Sequence, residues 1–420
     1  MKINNLQVNL LPHTPFLTLF DKFDLKRAMD YQGKIGAICY SEEGLEPSFF
    51  EDDQATNKRV SMMTNGEHQS VFEHINVGLY LKNSPKFLNM ILNNEHQYST
   101  SERSLRYTSI GIDDGLPREM IELYNKWNQI FFDKIKEKYS SCKTDRQIMK
   151  LAQENSRYLM PVTMATEMVH TIPLAQLNRV VKYMMDYAEN GINGIKDDLH
   201  SQMVPHIERF IKELYRLNII DDRLLSNRKH RTLSIFGKDI SEKQKEFGEV
   251  YSTSYLGSFA LLAQAQRHRT IYYQMERTEE KTYFIPPILE GDDKKICEWQ
   301  QDMEMVYKKY GYIPQGEKVL INEKGTFDNF VLKMKERLCS AAQLEVAMQT
   351  EQTLKEYRSA LTADLYDFHL NNIYVPGMDK KREILEKIDS YSKGARCTFP
   401  DYDCPRDCKF KEGKILTRKI

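Results

Sequence analysis

The sequence predicts a protein of mixed helix and strand, class α+β, built from two domains. Three observations support this prediction. The 420 residues exceed the usual size of a single domain. Short segments alternate polar and apolar residues as strands do, and longer segments repeat apolar residues with the period of a helix. The composition, 41% hydrophobic and 29% charged, is typical of globular proteins and excludes a disordered or collagen-like chain.

The first domain is predicted to span residues 1–218. Alternation and a content of β-branched and aromatic residues predict strands over Ile3–Leu11 and Phe72–Leu81. Three segments have the periodicity of amphipathic helices, namely Leu116–Lys138, Leu174–Ala188 and Met203–Leu217.

The second domain is predicted to span residues 219–420. Residues 219–245 are polar and densely charged, so the boundary is placed at their start. They include the basic run Arg228–Arg231, which is interpreted as a solvated linker rather than a nucleic-acid contact. Further on, Tyr255–Gln266 is predicted to be helical and Phe327–Leu354 to form a long helix.

The charge balance and the apolar runs exclude several classes of protein. Sixty Lys and Arg residues balance sixty Asp and Glu residues, so no bulk electrostatic attraction to nucleic acid or to an anionic membrane is expected. A local basic pocket for one phosphate group remains possible. No apolar run is long enough to span a bilayer, and the first residues do not form a signal peptide. We therefore expect a cytoplasmic protein without a membrane partner.

The seven cysteines are an odd number, which favours reduced thiols over a disulfide framework. Three of them lie close together in the sequence, Cys397, Cys404 and Cys408. With Cys339 as a fourth thiolate they would make a tetrahedral structural zinc site. The alternative is a tail with free thiols, and the spacing does not decide between the two.

Two short polar, basic clusters are the candidate functional motifs, since neither a Walker loop nor a G-x-G-x-x-G motif is present. One is Glu102–Tyr107, with Arg157 further along the chain. The other is Gln264–Arg269, with Arg337 further along. Arginines among Ser, Gln and Tyr suit bidentate binding of phosphate oxygens and carbonyls. Taken singly, each cluster is more typical of a solvated helix face, and Arg267–Arg269, directly after an apolar helix, is the least typical of one.

The motifs of the first half resemble those of the flavin-dependent thymidylate synthases. The segments His68–His74, Glu102–Tyr107 and Arg157–Pro161 resemble that family's His-x-x-x-x-Glu-His, Glu-x-Ser-x-Arg-Tyr and Arg-x-x-Leu-Pro elements in the same order. The family's Arg-His-Arg is replaced here by Asn94-Glu95-His96, and its substrate-activating arginine by Met184.

The second half carries the elements that the first half lacks. Gln264–Arg269 matches the family's Gln-x-x-Arg-His-Arg, and Arg337, followed by Ala342–Glu345, matches its activating arginine and Ala-Gln-x-Glu. The serine of the signature is replaced by Arg277, and the Arg-x-x-Leu-Pro position is expected at Thr282–Pro286. The family's Asn-x-Arg flavin contact falls on Thr326–Asp328.

The resemblance implies two tandem copies of one domain, each a small, mostly antiparallel sheet with long helices. In the family each site lies between subunits, so a composite site between the two copies is expected, in a homodimer that forms a pseudo-tetramer. Arg337 and Ser104 are the predicted catalytic residues. Ser104 is interpreted as binding substrate rather than as a nucleophile, because no histidine base is placed beside it.

The resemblance also assigns binding roles to the remaining motif residues. The predicted substrate-binding residues are Gln264, Arg267, Glu102, Arg103, Ser104, Arg106, Arg157 and Arg337. The predicted cofactor-binding residues are Ser70, Glu73, Arg267, His268 and Arg269.

The activity implied by the resemblance is methylation of dUMP at C5, with methylenetetrahydrofolate as the carbon source, FAD as the cofactor and NADPH as the reductant. Two alternatives remain open. One is a different one-carbon transfer to a pyrimidine nucleotide, such as hydroxymethylation. The other is a non-catalytic nucleotide-binding paralogue.

Overall fold

The computed structural model describes residues 5–66, 68–104, 116–227, 230–237, 240–371, 377–405, 408 and 418–420. Within these residues the strands are β1 Gln7–Leu10, β2 Asn76–Pro85, β3 Ser99–Glu102, β4 Ala165–Pro173, β5 Val250–Ser258, β6 Tyr272–Glu276 and β7 Lys318–Thr326. The helices are α1 Leu25–Gly36, α2 Asp53–Asn65, α3 Lys86–Leu92, α4 Arg118–Tyr139, α5 Asp145–Ser156, α6 Leu174–Asn190, α7 Asp198–Arg216, α8 Phe259–Ala265, α9 Asp293–Tyr310, α10 Phe327–Arg337, α11 Leu344–Asn371 and α12 Met378–Ser390. Helices and antiparallel sheets confirm the α+β class.

The chain forms two compact units whose limits differ from the predicted domains. The first unit contains the described residues of 1–104 and 163–234, and the second those of 116–162 and 235–420. Helices α4 and α5 thus pack with the second unit although they precede the predicted boundary at residue 218. The reason is apolar burial, since Trp127 and Phe131 of α4 pack their rings against Trp299 of α9.

The first unit is built on a four-stranded sheet with the order β1-β2-β4-β3, in which each pair of neighbours is antiparallel. Strand β2 alternates into a core that includes Val77, Leu79 and Leu81. Helix α6 follows β4 directly and buries one apolar face, and Gly191, with a positive φ of 68°, ends it. This position favours glycine, because a residue with a Cβ is strained at a positive φ.

The second unit is built on a three-stranded antiparallel sheet with the order β5-β7-β6. Helix α10 follows β7 directly and is capped by Thr326, whose hydroxyl accepts a hydrogen bond from the Asn329 amide at 3.3 Å. Its buried face joins Tyr251, Phe330 and Tyr357 in a core of stacked and tilted rings.

The two sheets share one topology. In each, a strand is followed by a short helix and a second strand, and a third strand then inserts between the first two and leads directly into a helix. The registers also correspond, because Asn76 pairs with Pro173 at the end of β4, and Val250 pairs with Thr326 at the end of β7. This likeness is what a duplication would produce. The duplication itself stays a prediction.

Within the second unit, corresponding positions of the two segments contact each other. Pro161, twelve residues before Pro173, forms an antiparallel bridge with Pro314, which is twelve residues before Thr326. The two tryptophans of the chain, Trp127 and Trp299, meet edge to face with ring centroids 4.8 Å apart. The Pro161–Pro314 bridge joins equivalent positions, as in a two-fold, isologous interface, whereas Trp127 and Trp299 stand at different distances before their central strands.

The same correspondence corrects one sequence assignment. The counterpart of Arg157–Pro161 is Tyr310–Pro314, because both segments stand at the same distance before the central strand and pair with each other. The expected counterpart, Thr282–Pro286, lies earlier, between β6 and α9. A tyrosine, Tyr310, therefore stands where the first segment has Arg157.

Most predicted elements are present, with shifted ends. The strand predicted from Ile3 begins at Gln7, and residues 1–4 lie outside the described chain, as do Arg228 and Lys229 of the basic run. The strand predicted over Phe72–Leu81 is preceded by a 3-10 turn and runs from Asn76 to Pro85.

Two helix predictions are wrong in part. Tyr255–Ser258 belongs to β5, where it pairs with β7, and the helix begins only at Phe259. The predicted long helix Phe327–Leu354 is broken between α10 and α11. No Gly or Pro causes the break. At the break, the carbonyls of Ser340 and Ala342 accept hydrogen bonds from the Arg418 guanidinium at 3.0 and 2.8 Å.

Among the described residues, no helix is both long and apolar enough to cross a membrane.

Candidate functional site

Helix α8 and the turn after it carry the first group of site residues. Ser258 caps the helix, with its hydroxyl accepting from the Leu261 amide at 3.0 Å. All seven residues of α8, including Gln264 near its end, are buried. The chain then turns through Arg267, His268 and Arg269, where His268 points inward and the two arginines are exposed. The helix thus fixes one buried imidazole between two exposed cations.

The last residue of α10, Arg337, binds that imidazole. Its Nε donates to His268 Nε2 at 2.7 Å, and a terminal nitrogen donates to the Gln264 carbonyl at 3.3 Å. Both side chains are buried, with 9% of Arg337 and 7% of His268 exposed. Because Nε2 accepts a hydrogen bond, the proton of neutral His268 must be on Nδ1. The guanidinium is therefore held in one orientation from two sides.

The electrostatics keep His268 neutral. Burial, together with the nearby charges of Arg337 and Lys333, lowers the pKa of His268 to about 2. The Glu336 carboxylate lies 3.8 Å from Nε2, but 62% of it is exposed, so solvent screens it. At neutral pH the positive charge of this cluster thus belongs to the guanidinium alone.

Stability should therefore fall in acid through His268. The unfolded chain binds a proton at this histidine below about pH 6.5, whereas the folded chain does not until about pH 2. We expect the free energy of unfolding of the second unit to fall, as the pH drops from about 6 to 4, by about 1.4 kcal/mol per pH unit more steeply than in His268→Gln. Glutamine keeps an acceptor for Arg337 but does not titrate.

The measurement is urea unfolding followed by tryptophan fluorescence at several pH values. Both tryptophans lie in the second unit, so the signal reports that unit. Equal slopes for the two proteins would contradict a neutral, buried His268.

A fully buried ion pair lies one turn below Arg337. Lys333 Nζ contacts Glu323 Oε2 at 2.5 Å, and neither side chain is exposed. Tyr251 and Tyr255 donate to the two carboxylate oxygens of Glu323 at 2.6 and 2.7 Å. Burial lowers the pKa of Lys333 and the Glu323 charge opposes this effect. This ion pair was not predicted from the sequence, although Lys333 stands four residues before Arg337 within the apolar stripe of α10.

Arg157 lies in the same unit as Gln264, His268 and Arg337. Arg157 is 4% exposed. Burial raises the pKa of Tyr124 to about 12 and also raises the pKa of Tyr158, and the charge of Arg157 opposes both shifts. Its segment is fixed by backbone pairing, since the Gln315 amide donates to the Met160 carbonyl at 2.7 Å. The structure thus brings an arginine of the first motif set into the unit that carries the second set.

The remaining predicted residues lie in the first unit or outside the described chain. Glu102 pairs with Lys86 at 2.7 Å and accepts from Asn89 at 3.0 Å. Glu73 pairs with Arg179. Ser70 is exposed, Arg103 and Ser104 follow β3, and Arg106 lies outside the described residues. Glu102 and Glu73 are thus held by cations of their own unit.

The strand registers confirm which positions of the two segments correspond. Ser99 pairs with Thr171 and Tyr272 with Lys324, each two residues before the end of the central strand. Asn94–His96 and Arg267–Arg269 therefore occupy one position. By the same count, Ser104 corresponds to Arg277, and Met184, eleven residues past Pro173, to Arg337, eleven residues past Thr326.

Both substituted positions are filled by internal contacts. Glu95 accepts from the Ser234 amide at 2.5 Å, and Asn94 donates to the Ser234 hydroxyl at 2.8 Å. Burial raises the pKa of Glu95 to about 6. In the second unit, Arg277 pairs with the buried Glu317 at 2.6 Å. Each segment thus retains one set of motif residues, and at the position of the other set its own side chains bond to one another.

The predicted zinc site is not formed. Among the described residues, which include all four cysteines, no three His, Cys, Asp or Glu side chains are grouped so that they could hold a metal ion. Cys397 lies in a 3-10 turn beside Leu338, and the carbonyl of Cys408 accepts from Lys143 at 3.1 Å. The thiols are close in sequence, but these separate anchors do not gather them into a metal site.

Comparison with known proteins connects part of the chain to a family. Residues 29–195 match the model of the thymidylate synthase complementing protein family. The resemblance stated above is thus confirmed for this segment, which ends before the second set of motifs.

The structure is similar to that of the UMP/dUMP methylase PolB from Streptomyces cacaoi bound with 5-Br dUMP, at 15% identity and a TM-score of 0.30 over 52% of this chain and 97% of that one. The same methylase bound with 5-Br UMP gives 15% identity and a TM-score of 0.28 over 52% and 96% of the two chains. No curated protein matches the chain.

Proposed function

We propose that this protein is a thymidylate synthase-like enzyme that methylates dUMP at C5, using methylenetetrahydrofolate, NADPH and FAD. One observation carries the proposal. The buried cluster of Arg337, His268 and Gln264 shares a compact unit with Arg157, which comes from the segment that matches the family. Motif residues from two distant parts of the chain therefore lie in one unit, which supports the proposal.

The chemistry assigns a separate task to each cation. A hydride delivered to C6 of uracil would place negative charge on N3 and the ring carbonyls, and a guanidinium held in place would stabilise that charge. Arg337 is suited to this task because His268 and Gln264 fix its orientation. Arg157 is suited to the phosphate, which arginine binds through two parallel hydrogen bonds. Arg106, Arg103 and Ser104 complete the proposed nucleotide side.

The residues around the Arg267–Arg269 turn fit a flavin. Arg267 and Arg269 are exposed cations suited to a pyrophosphate, and the buried Gln264 Oε1 has no hydrogen-bond partner among the described residues. The Asp328 carboxylate, which replaces a cation of the family motif, is balanced by Lys387 at 3.4 Å. Ser70 and Glu73 are the proposed contribution of the first unit. Bound FAD, reduced by NADPH, would supply a hydride to C6 of dUMP, while methylenetetrahydrofolate would supply the carbon at C5.

The test is tritium release from dUMP labelled at C5, in the presence of methylenetetrahydrofolate, NADPH and FAD. We expect release of tritium to water, a product with the mass of thymidylate, and flavin absorption of the protein that is lost in Arg267→Ala. The mass distinguishes the alternatives, because a hydroxymethylated product would show the other one-carbon transfer. Binding of dUMP without tritium release would show a non-catalytic protein.

The proposed assembly is a homodimer that acts as a pseudo-tetramer. Its support is the likeness of the two sheets and the bridge between the equivalent residues Pro161 and Pro314. Two copies fused in one chain would already contain one of the interfaces of a four-domain assembly. Light scattering of the purified protein measures the mass, and a mass of one chain would contradict the dimer.

A further inference from the structure

Glu345, at the start of α11, is a buried carboxylate with three hydrogen bonds. It is 5% exposed. Its Oε1 accepts from the Ser258 amide at 2.9 Å, and its Oε2 accepts from the Ser258 hydroxyl at 2.5 Å and from the Tyr158 hydroxyl at 2.9 Å. Gln343 donates to the same Tyr158 oxygen. Burial raises the pKa of Glu345, and these donors oppose the rise. A buried carboxylate is tolerated only with such donors.

Glu345 and its two partners belong to three segments of the chain. Ser258 caps α8, the helix that contains Gln264 and leads to His268. Tyr158 is the neighbour of Arg157. Glu345 itself lies at the start of α11, after the connection from Arg337. One carboxylate therefore joins the α8 motif, the Arg157 segment and the segment that follows Arg337.

The Tyr158 backbone is also held from the other side. The Gly316 amide donates to the Tyr158 carbonyl at 2.8 Å. A Cβ added to Gly316 would lie only 3.0 Å from Tyr158 Cβ and 3.1 Å from its carbonyl oxygen, so a side chain here would force Tyr158 to shift. With its backbone fixed here and its hydroxyl fixed at Glu345, Tyr158 has little freedom. Because Arg157 precedes Tyr158 directly, the backbone that carries the Arg157 side chain is fixed as well.

We propose that Glu345 is a positioning residue that holds Arg157 in register with Gln264 and Arg337, so that the phosphate and the base of one nucleotide are engaged together. The inference rests on the proposed function. A rigid nucleotide presents its two ends at a set separation, and a misplacement of about 1 Å can cost about 10²-fold in rate. Glu345 acts through its neighbours and does not touch substrate.

The test compares Glu345→Met with Glu345→Gln and Tyr158→Phe. Methionine removes every acceptor, so we expect kcat/KM for dUMP to fall by about 10²-fold. Glutamine can accept from the Ser258 amide while both hydroxyls reverse and accept from its NH2, so it should rescue activity to within about tenfold of wild type. Glu351→Gln on the same helix is the matched control and should leave activity unchanged.

A double-mutant cycle separates positioning from a general structural role. If Tyr158 and Glu345 act through Arg157, then Tyr158→Phe should lower dUMP affinity by about tenfold in the wild type and have no further effect in Arg157→Ala. Independent, multiplying effects of the two substitutions would overturn the proposal. Because Tyr158→Phe removes one hydroxyl only, this arm remains decisive even where Glu345→Met does not fold.

Hydrogen–deuterium exchange of the protein without nucleotide keeps this test independent of the proposed function. In Tyr158→Phe and Glu345→Met we expect faster amide exchange in residues 157–162 and 258–265 together, and in Glu345→Gln exchange close to wild type. Faster exchange confined to the start of α11 would overturn the role of Glu345. A wild-type protein that binds no dUMP, but in which the substitutions loosen both segments, would refute the proposed function and leave Glu345 as the joint of the three segments.

Discussion

Replacing Arg337 by alanine is expected to lower kcat/KM for dUMP by about 10²–10³-fold, the usual effect of removing one preorganised group that stabilises developing charge. The guanidinium is buried and oriented by His268 Nε2 at 2.7 Å and by the Gln264 carbonyl at 3.3 Å. Lysine should not restore activity, because its compact ammonium cannot reproduce a planar fork that binds two partners and a substrate at once.

The measurement is tritium release from dUMP together with the dUMP dissociation constant. Arg358→Ala is the matched control, since Arg358 lies on α11 in an exposed ion pair with Asp389 and should leave both values unchanged. Tryptophan fluorescence shows whether the second unit is still folded. An Arg337→Ala protein that folds and retains activity within a few fold of wild type would refute the assigned role.

The second large effect concerns stability. Replacing Lys333 by methionine leaves the Glu323 carboxylate buried without its cation, since neither side chain is exposed and their atoms are 2.5 Å apart. Breaking such a pair costs about 3–5 kcal/mol. For a unit of this size the melting temperature should fall by roughly 6–20 °C. The tyrosines Tyr251 and Tyr255 still donate to Glu323 but cannot balance its charge.

The check is thermal unfolding followed by tryptophan fluorescence. Lys335→Met is the control on the same helix, because Lys335 pairs with Asp401 at the surface and should cost at most about 1 kcal/mol. The double variant Lys333→Met with Glu323→Gln should be less destabilised than the sum of its single variants, because no unpaired charge remains. Equal losses for Lys333→Met and Lys335→Met would show that the pair contributes no more than a surface contact.

The buried pair is specific to the second unit. By the strand register, Glu323 corresponds to His170 and Lys333 to Val180. His170 is stacked on Tyr98 with ring centroids 5.0 Å apart, and Val180 is fully buried. A histidine and a valine thus stand in the first unit where the second has the ion pair, just as Met184 stands in place of Arg337. The charged network and Arg337, the proposed activating arginine, occur in the same unit.

The contacts that fill the two substituted positions affect where a ligand is expected to bind. Arg277 is paired with Glu317, and Asn94 and Glu95 are bonded to Ser234. An unpaired buried charge or amide at either position would cost stability. The internal partners remove that cost and also occupy the groups that a ligand would need. Nucleotide and flavin are therefore expected to bind at the retained motif residues alone.

Much of this could be predicted from the sequence, because local patterns encode local structure. Apolar periodicity placed α6 within two residues of its observed end, and the motif comparison paired Asn94–His96 with Arg267–Arg269 at the positions that the strand registers also give. Spacing alone misplaced the counterpart of Arg157–Pro161. Residues Thr282–Pro286 end in proline and mimic the motif, and only the pairing of Pro161 with Pro314 identifies the true position.

The sequence by itself determined the α+β class, most of the elements and the identity of the motif residues, since periodicity and spacing depend on neighbours along the chain. The tertiary structure decided which of these residues meet. It moved α4 and α5 into the second unit, buried Lys333 against Glu323, and joined Tyr158 to Glu345 across 187 positions of sequence. The physical reason is that burial and long-range hydrogen bonds depend on packing in three dimensions, which no local pattern records.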